Sequence, residues 1–190
     1  MVLNQTAAKI LTVAQDLLQR KGFNGFSYRD LAAEIGIKTS SIHYHFPTKD
    51  DLALNLVRNY RQIFQIELQK ISAQDEVPAQ QLADYVRLYG QNIEQANKFC
   101  LCGMLAAEIS ALSPEVKQEI QLFFRDNEAW LKQLIERGKQ QGEFNSNHSS
   151  QLLANQLIAT LEGAMLVART SEQPAVSFEQ IAQTAVESLR

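Results

Sequence analysis

Apolar residues recur along this chain at intervals of three and four, the spacing of one face of an α-helix, and nowhere alternate as in a half-buried strand. Ile10, Val13, Ala14, Leu17 and Leu18 predict a first helix from about Gln5 to Lys21, with Gly22 ending it after the basic pair Arg20–Lys21. Ser27 caps a second helix with Asp30 as capping-box partner, Leu31, Ala32 and Ile35 line its inner face, and Gly36 breaks it. A short third helix opens at Lys38 or Thr39, carries Ile42 and Phe46, and stops at Pro47. Thr48 caps a long fourth helix to about Ile71, with Leu52, Leu56, Ile63, Phe64 and Leu68 inward.

After the polar segment Ser72–Val77, Pro78 starts a fifth helix to about Ala96. Cys100–Leu112 reads as a sixth. Ser113–Pro114 opens a seventh to about Gln141, and Gly142 closes it. An eighth begins at His148–Ser150 and runs to about Arg169; the loop Thr170–Ala175 precedes a ninth. The expected fold is all-α, about nine helices: a three-helix head joined by the long fourth helix to a helical body. The expected division is residues 1–50 for the head and 51–190 for the body.

Composition narrows the function. Hydrophobic residues make up 45% of the 190, enough for a core, and the longest apolar runs fall short of the roughly 18–20 residues of a membrane span. The N-terminal segment Met1–Ile10 lacks the layout of a signal peptide. Two cysteines, Cys100 and Cys102, are too few for a disulfide framework and too close for an easy bridge, so a reducing cytoplasm is the expected location. The net charge of −3 is uneven: residues 1–60 hold seven basic and five acidic side chains, leaving an acidic body. A mildly basic head suits phosphate. There is no nucleophile–base set, metal-ligand cluster or phosphate-cradling glycine loop, so an enzyme, a metal site and a cofactor are not expected. His43 and His45, two apart, point to different faces of a helix and do not pair as ligands.

The chemistry lies in the head. Leu31, Ala32, Ile35, Ile37 and Ile42 form an apolar wedge, and Gly36 permits a left-handed turn between two short helices. That fits a plain helical hairpin of a bundle or a helix-turn-helix; the latter places the start of its second helix in the major groove: Lys38, Thr39, Ser40 and Ser41. The segment from Ile37 through His43-Tyr44-His45-Phe46, Pro47-Thr48, Lys49 and Asp50-Asp51-Leu52 closely resembles the signature of the TetR family of transcriptional repressors. Gly22-Phe23, Phe26-Ser27 and Leu31-Ala32-Ile35-Gly36 extend the resemblance over residues 5–60. It implies that Arg29 reaches the groove or backbone, that Thr39, Ser40 and Ser41 read bases, and that Tyr44, His45 and Lys49 contact the phosphate backbone. At His43 the family most often has Tyr.

Paired half-sites call for a two-fold dimer, and the last two helices carry the apolar faces for it: Leu153, Leu157, Leu161 and Met165 with Phe178, Ile181, Val186 and Leu189. The resemblance implies a four-helix bundle there between subunits. It also implies a pocket for an unidentified small-molecule effector, with candidate lining residues Tyr85, Tyr89, Leu101, Met104, Leu105, Phe123, Phe124, Asn127 and Trp130, and Glu108 as polar anchor. The expected function is a cytoplasmic repressor that binds a palindromic double-stranded DNA operator as a homodimer and is released by a largely apolar ligand, without a membrane partner. The alternative is control by thiol oxidation, since Cys100 would start a helix, or by a protein partner.

Overall fold

The computed structural model describes residues 5–74, 77–94 and 98–189. All regular structure among them is helical: α1 (Gln5–Lys21), α2 (Tyr28–Ile35), α3 (Thr39–His45), α4 (Lys49–Gln74), α5 (Pro78–Glu94), α6 (Leu101–Ala107), α7 (Pro114–Gln140), α8 (Ser150–Ala168) and α9 (Pro174–Glu187), with a 3-10 turn at Ile109–Ala111. The ends fall where the capping residues put them. Ser27 and Asp30 form the expected capping box, and Thr48 and Asp51 form a second one at the start of α4. Ser149 caps α8. The expected end of the fifth helix at Ala96 lies outside the described residues.

Two segments differ from expectation. The stretch read as one sixth helix is α6 and a 3-10 turn hinged at Glu108, whose backbone departs from the helical region (φ −108°, ψ 21°). The loop expected through Ala175 ends earlier, because Pro174 takes the first position of α9, where its missing N–H costs nothing.

The chain packs as two compact units: residues to Gln62 with Cys100–Phe123, and Ile63–Phe99 with Phe124 onward. Both α4 and α7 pass from one unit to the other.

In the first unit α1, α2 and α3 pack on one another, and α6 packs on α1. Ile10, Leu18, Leu31 and Ile42 are completely buried. Ile42 is the only buried residue of the seven in α3, so it seats the recognition helix; Ile42→Ala would cost about 2–5 kcal/mol. Gly36 adopts φ +79° at the α2–α3 turn, as the wedge reading requires. From α4, Leu52, Ala53, Leu56 and Val57 are buried. Arg58 and Arg61 both pair with Glu119 of α7, at 2.9 and 3.3 Å.

In the second unit α5, α8 and α9 pack together. Ile63, expected inward on α4, is 48% exposed; Phe64 and Leu68 are buried, so the inner face runs in steps of four. The expected dimer residues need correcting. Leu153, Leu157, Leu161, Met165, Phe178 and Leu189 are all buried within the single chain, and Ile181 and Val186 partly so. The six buried ones go to the core of their own unit, while Ile181 and Val186 keep part of their surface outside it. The outer face of α8 instead shows Leu152, Leu166 and Val167, each more than half exposed. With 19 residues and mean hydropathy 1.2, α8 also meets the length and composition of a membrane span, which run lengths alone had not suggested. Its inner face packs on α9.

Candidate nucleic-acid interface

The sequence of the head makes a short helix with one apolar anchor and a polar remainder, and that asymmetry decides which residues face outward. Lys38 is the N-cap of α3 and exposed, as are Ser40, His43 and Tyr44. Thr39, Ser41 and His45 are half-buried, and Arg29 on α2 is exposed. Tyr44 is 83% exposed. Its ring is edge-on to His45, at 5.1 Å. No cluster of three or more metal-ligating residues occurs among the described residues.

His43 is tied back into the head. Its Nδ1 lies 3.1 Å from the carbonyl oxygen of Pro47, and its ring sits edge-on to Tyr28 at 4.8 Å. A carbonyl only accepts, so Nδ1 carries the hydrogen and Nε2 of the neutral ring is left an acceptor.

Lys49 differs most from its expected role. Its ammonium turns inward and donates to the carbonyls of Phe23 and Phe26. It also lies over both their rings, 4.7 and 4.5 Å from the centroids. Burial lowers its pKa below the ordinary lysine value, and the carboxylates of Glu108 and Asp30 pull the other way. The ammonium therefore serves the head's own loop, and the phosphate assignment is corrected on that ground.

Sequence reading missed Tyr28. Its hydroxyl donates to the carbonyl oxygens of Phe46, at 2.9 Å, and Thr48, at 2.5 Å, tying the start of α2 to the α3–α4 turn. Burial, and secondarily Asp51, raise the phenol's pKa far above its ordinary value, so the donor is always present. The only signal in the sequence was an aromatic with a hydroxyl directly after a helix cap. Asp30, held by Ser27, has its carboxyl below the usual range.

The candidate effector residues divide between the units. Leu101, Leu105 and Phe123 are core of the first unit, and Met104 there is half-buried. Glu108 is no pocket anchor: its carboxylate accepts from the backbone N–H groups of Phe23, at 2.7 Å, and Asn24, at 3.0 Å. In the second unit four residues do converge. The Tyr85 hydroxyl lies 3.2 Å from Asn127 Oδ1 and 3.3 Å from the Tyr89 hydroxyl, and its ring stacks on Trp130 at 5.4 Å. Tyr85, Tyr89 and Asn127 are buried; Trp130 and Phe124 are half-buried.

Residues 10–56 match the family described as bacterial regulatory proteins, tetR family, and residues 77–184 match the tetracyclin repressor-like C-terminal domain. A solved TetR-family transcriptional regulator from Agrobacterium tumefaciens is 36% identical, with a TM-score of 0.91 over 96% of each chain. An HTH-type transcriptional regulator in the lacX 3' region of Lactococcus lactis subsp. lactis is 28% identical over 127 residues, 65% of this chain and 65% of that protein. The HTH-type transcriptional repressor DhaR of Mycobacterium sp. (strain GP1) is 25% identical over 150 residues, 77% of this chain and 73% of that protein. Every named relative regulates transcription. With the helix-turn-helix geometry above, these matches show that the chain belongs to the TetR family and is a DNA-binding transcriptional regulator, not an enzyme.

Proposed function

We propose that the protein is a repressor that binds a palindromic operator as a homodimer and leaves it when a small, largely apolar ligand binds the body. The observation that carries this reading is the outer face of α8, which the single chain leaves uncovered. Leu152, Leu166 and Val167 stand exposed there, with Ala159 and Gly163 between them. A side chain added at Gly163 would meet nothing within 4 Å. Beside it Gln156, Thr160, Ile181, Thr184 and Ala185 line an open cavity of about 470 Å³ between α8 and α9. Small residues let a second helix approach closely, and a two-fold axis offers the same face back. Such a dimer would hold two heads for half-sites about 34–36 Å, or a multiple of that, apart.

Repression is supported by the likeness to DhaR, described as a repressor. For the effector, the supporting feature is the Tyr85, Tyr89, Asn127 and Trp130 cluster: three aromatic rings with convergent hydroxyl and amide groups. Its hydroxyl and amide groups bond one another, so a ligand that exchanged those bonds would rearrange α5 against α7 within the second unit. Ligand binding would then shift a population between DNA-competent and DNA-incompetent dimers. Control by thiol oxidation has less support, because Cys100 and Cys102 are both buried, at 1% and 0% exposure.

The test combines light scattering with footprinting of the DNA upstream of its own gene, in a screen of apolar small molecules. The expected result is a dimer that protects an inverted repeat and is released by at least one compound. A monomer on DNA, or a complex deaf to every compound but released by peroxide, would overturn the proposal.

A further inference from the structure

The geometry points to Glu108 as a positioning residue for DNA binding: from outside the helix-turn-helix, its carboxylate clamps the α1–α2 loop and, through that loop, sets the DNA-facing helices. The loop runs from Gly22 to Ser27. On one side its N–H groups meet Glu108: Phe23 N–H donates to Oε1 at 2.7 Å, Asn24 N–H to Oε2 at 3.0 Å, and the Asn24 side-chain amide also donates to Oε2. On the other side its carbonyls, those of Phe23 and Phe26, accept from Lys49. An acid and a base thus grip opposite poles of the Phe23–Asn24 peptide group, each charge meeting the end of the dipole that favours it.

The grip is built for close approach. At Gly22 the backbone has φ +84°, and a Cβ there would stand 2.5 Å from Glu108 Oε1 and 3.4 Å from the Met104 methyl. Glu108 is itself anchored on both sides: its N–H donates to Leu105 O at 3.1 Å, and its carbonyl accepts from Ala111 N–H at 3.0 Å. It sits at the break between α6 and the 3-10 turn, so its side chain moves with the end of α6.

What it holds is the frame of the reading surface. The loop ends in Ser27, the N-cap of α2, and Arg29 stands two residues on. Lys49 opens α4. Tyr28 joins the start of α2 to the α3–α4 turn. Releasing the loop would loosen the mutual placement of α2, α3 and α4, on which Arg29, Ser40 and Tyr44 depend. Since charge-assisted bonds to a carboxylate are among the stronger hydrogen bonds, three of them suffice to select one loop position.

The sign of the effect separates positioning from charge. Removing a carboxylate from a DNA-facing unit should, by simple electrostatics, tighten binding to phosphate. Positioning predicts the reverse. The purified full-length wild type, Glu108→Gln and Asn24→Ala would be titrated by fluorescence anisotropy. The probes are a labelled duplex from upstream of the protein's own gene and a scrambled duplex of equal length, across a salt series. Amide hydrogen exchange at Phe23 and Asn24 would be followed without DNA. Glu108→Gln, whose amide replaces one of the two accepting oxygens by an NH2 donor, is expected to weaken the upstream duplex about tenfold. The scrambled duplex and the salt slope should stay as in wild type, and exchange at the two amides should accelerate about tenfold. Asn24→Ala, an exposed change that leaves the core intact, should cost about threefold on the upstream duplex; it keeps the test decisive if the first variant does not fold. Unchanged or tighter binding by the folded variants, equal losses on both duplexes, or unaltered amide exchange would overturn the proposal.

Discussion

Replacing Lys49 by Met keeps the apolar stem over Phe23 and Phe26 and deletes only the ammonium. The ammonium makes two hydrogen bonds to loop carbonyls and two ring contacts at 4.7 and 4.5 Å. Hydrogen bonds involving a charged group contribute about 1.5–3 kcal/mol each and cation–π contacts about 0.5–1. The group is half-exposed, so solvent screening places each at its lower end. Burying the ammonium also opposes the gain, as its lowered pKa shows. The net loss should be about 2 kcal/mol, which for a chain of this size lowers Tm by about 4–8 °C. The pH dependence has a definite sign. A folded-state pKa below 10.5 means that the unfolded chain holds more protons between the two values. Wild-type stability therefore gains from Lys49 as pH rises through that window, and the Met variant lacks the gain. The assay is urea denaturation across pH, together with anisotropy on operator DNA across salt. A lost phosphate contact would flatten the salt slope by about 0.9; the inward geometry predicts no flattening. Unchanged stability with a slope reduced by that amount would refute the reasoning and return Lys49 to the phosphate.

Other outcomes follow from the same geometry. Tyr28→Phe removes the hydroxyl that bonds the Phe46 carbonyl, while Thr48 O keeps its Leu52 N–H, and should cost about 1–3 kcal/mol in denaturant unfolding; no loss would mean that water replaces the hydroxyl. Leu166→Glu, on the outer face of α8 and 59% exposed, should leave the folded chain's helicity intact while converting a dimer to a monomer by light scattering. Gly22→Ala should destabilise more than Gly36→Ala in thermal unfolding: both sites have positive φ, costing about 1–2 kcal/mol, but only Gly22 has Glu108 in the way.

Much of the molecule was legible in the chain because it rests on local chemistry. Capping residues, glycine turns and three-four periodicity act within a few residues, so the nine helices among the described residues and the wedge of the helix-turn-helix could be read in order. So could the outward placement of Lys38, Ser40 and Tyr44, since one apolar residue, Ile42, orients so short a helix. What periodicity could not give was the destination of a face or a charge. A stripe such as Leu153, Leu157 and Leu161 shows that a surface will be buried, but not whether its own chain or another will cover it; tertiary packing spent it inside. Long polar side chains were least legible. Lys49 and Glu108 are 59 residues apart and each looks like a surface charge available to DNA or ligand. Only folding brings the loop from Gly22 to Ser27 between them, with its N–H groups toward the acid and its carbonyls toward the base. Hydrogen-bond partners are chosen by proximity in space, and proximity across 85 residues is not written at either end.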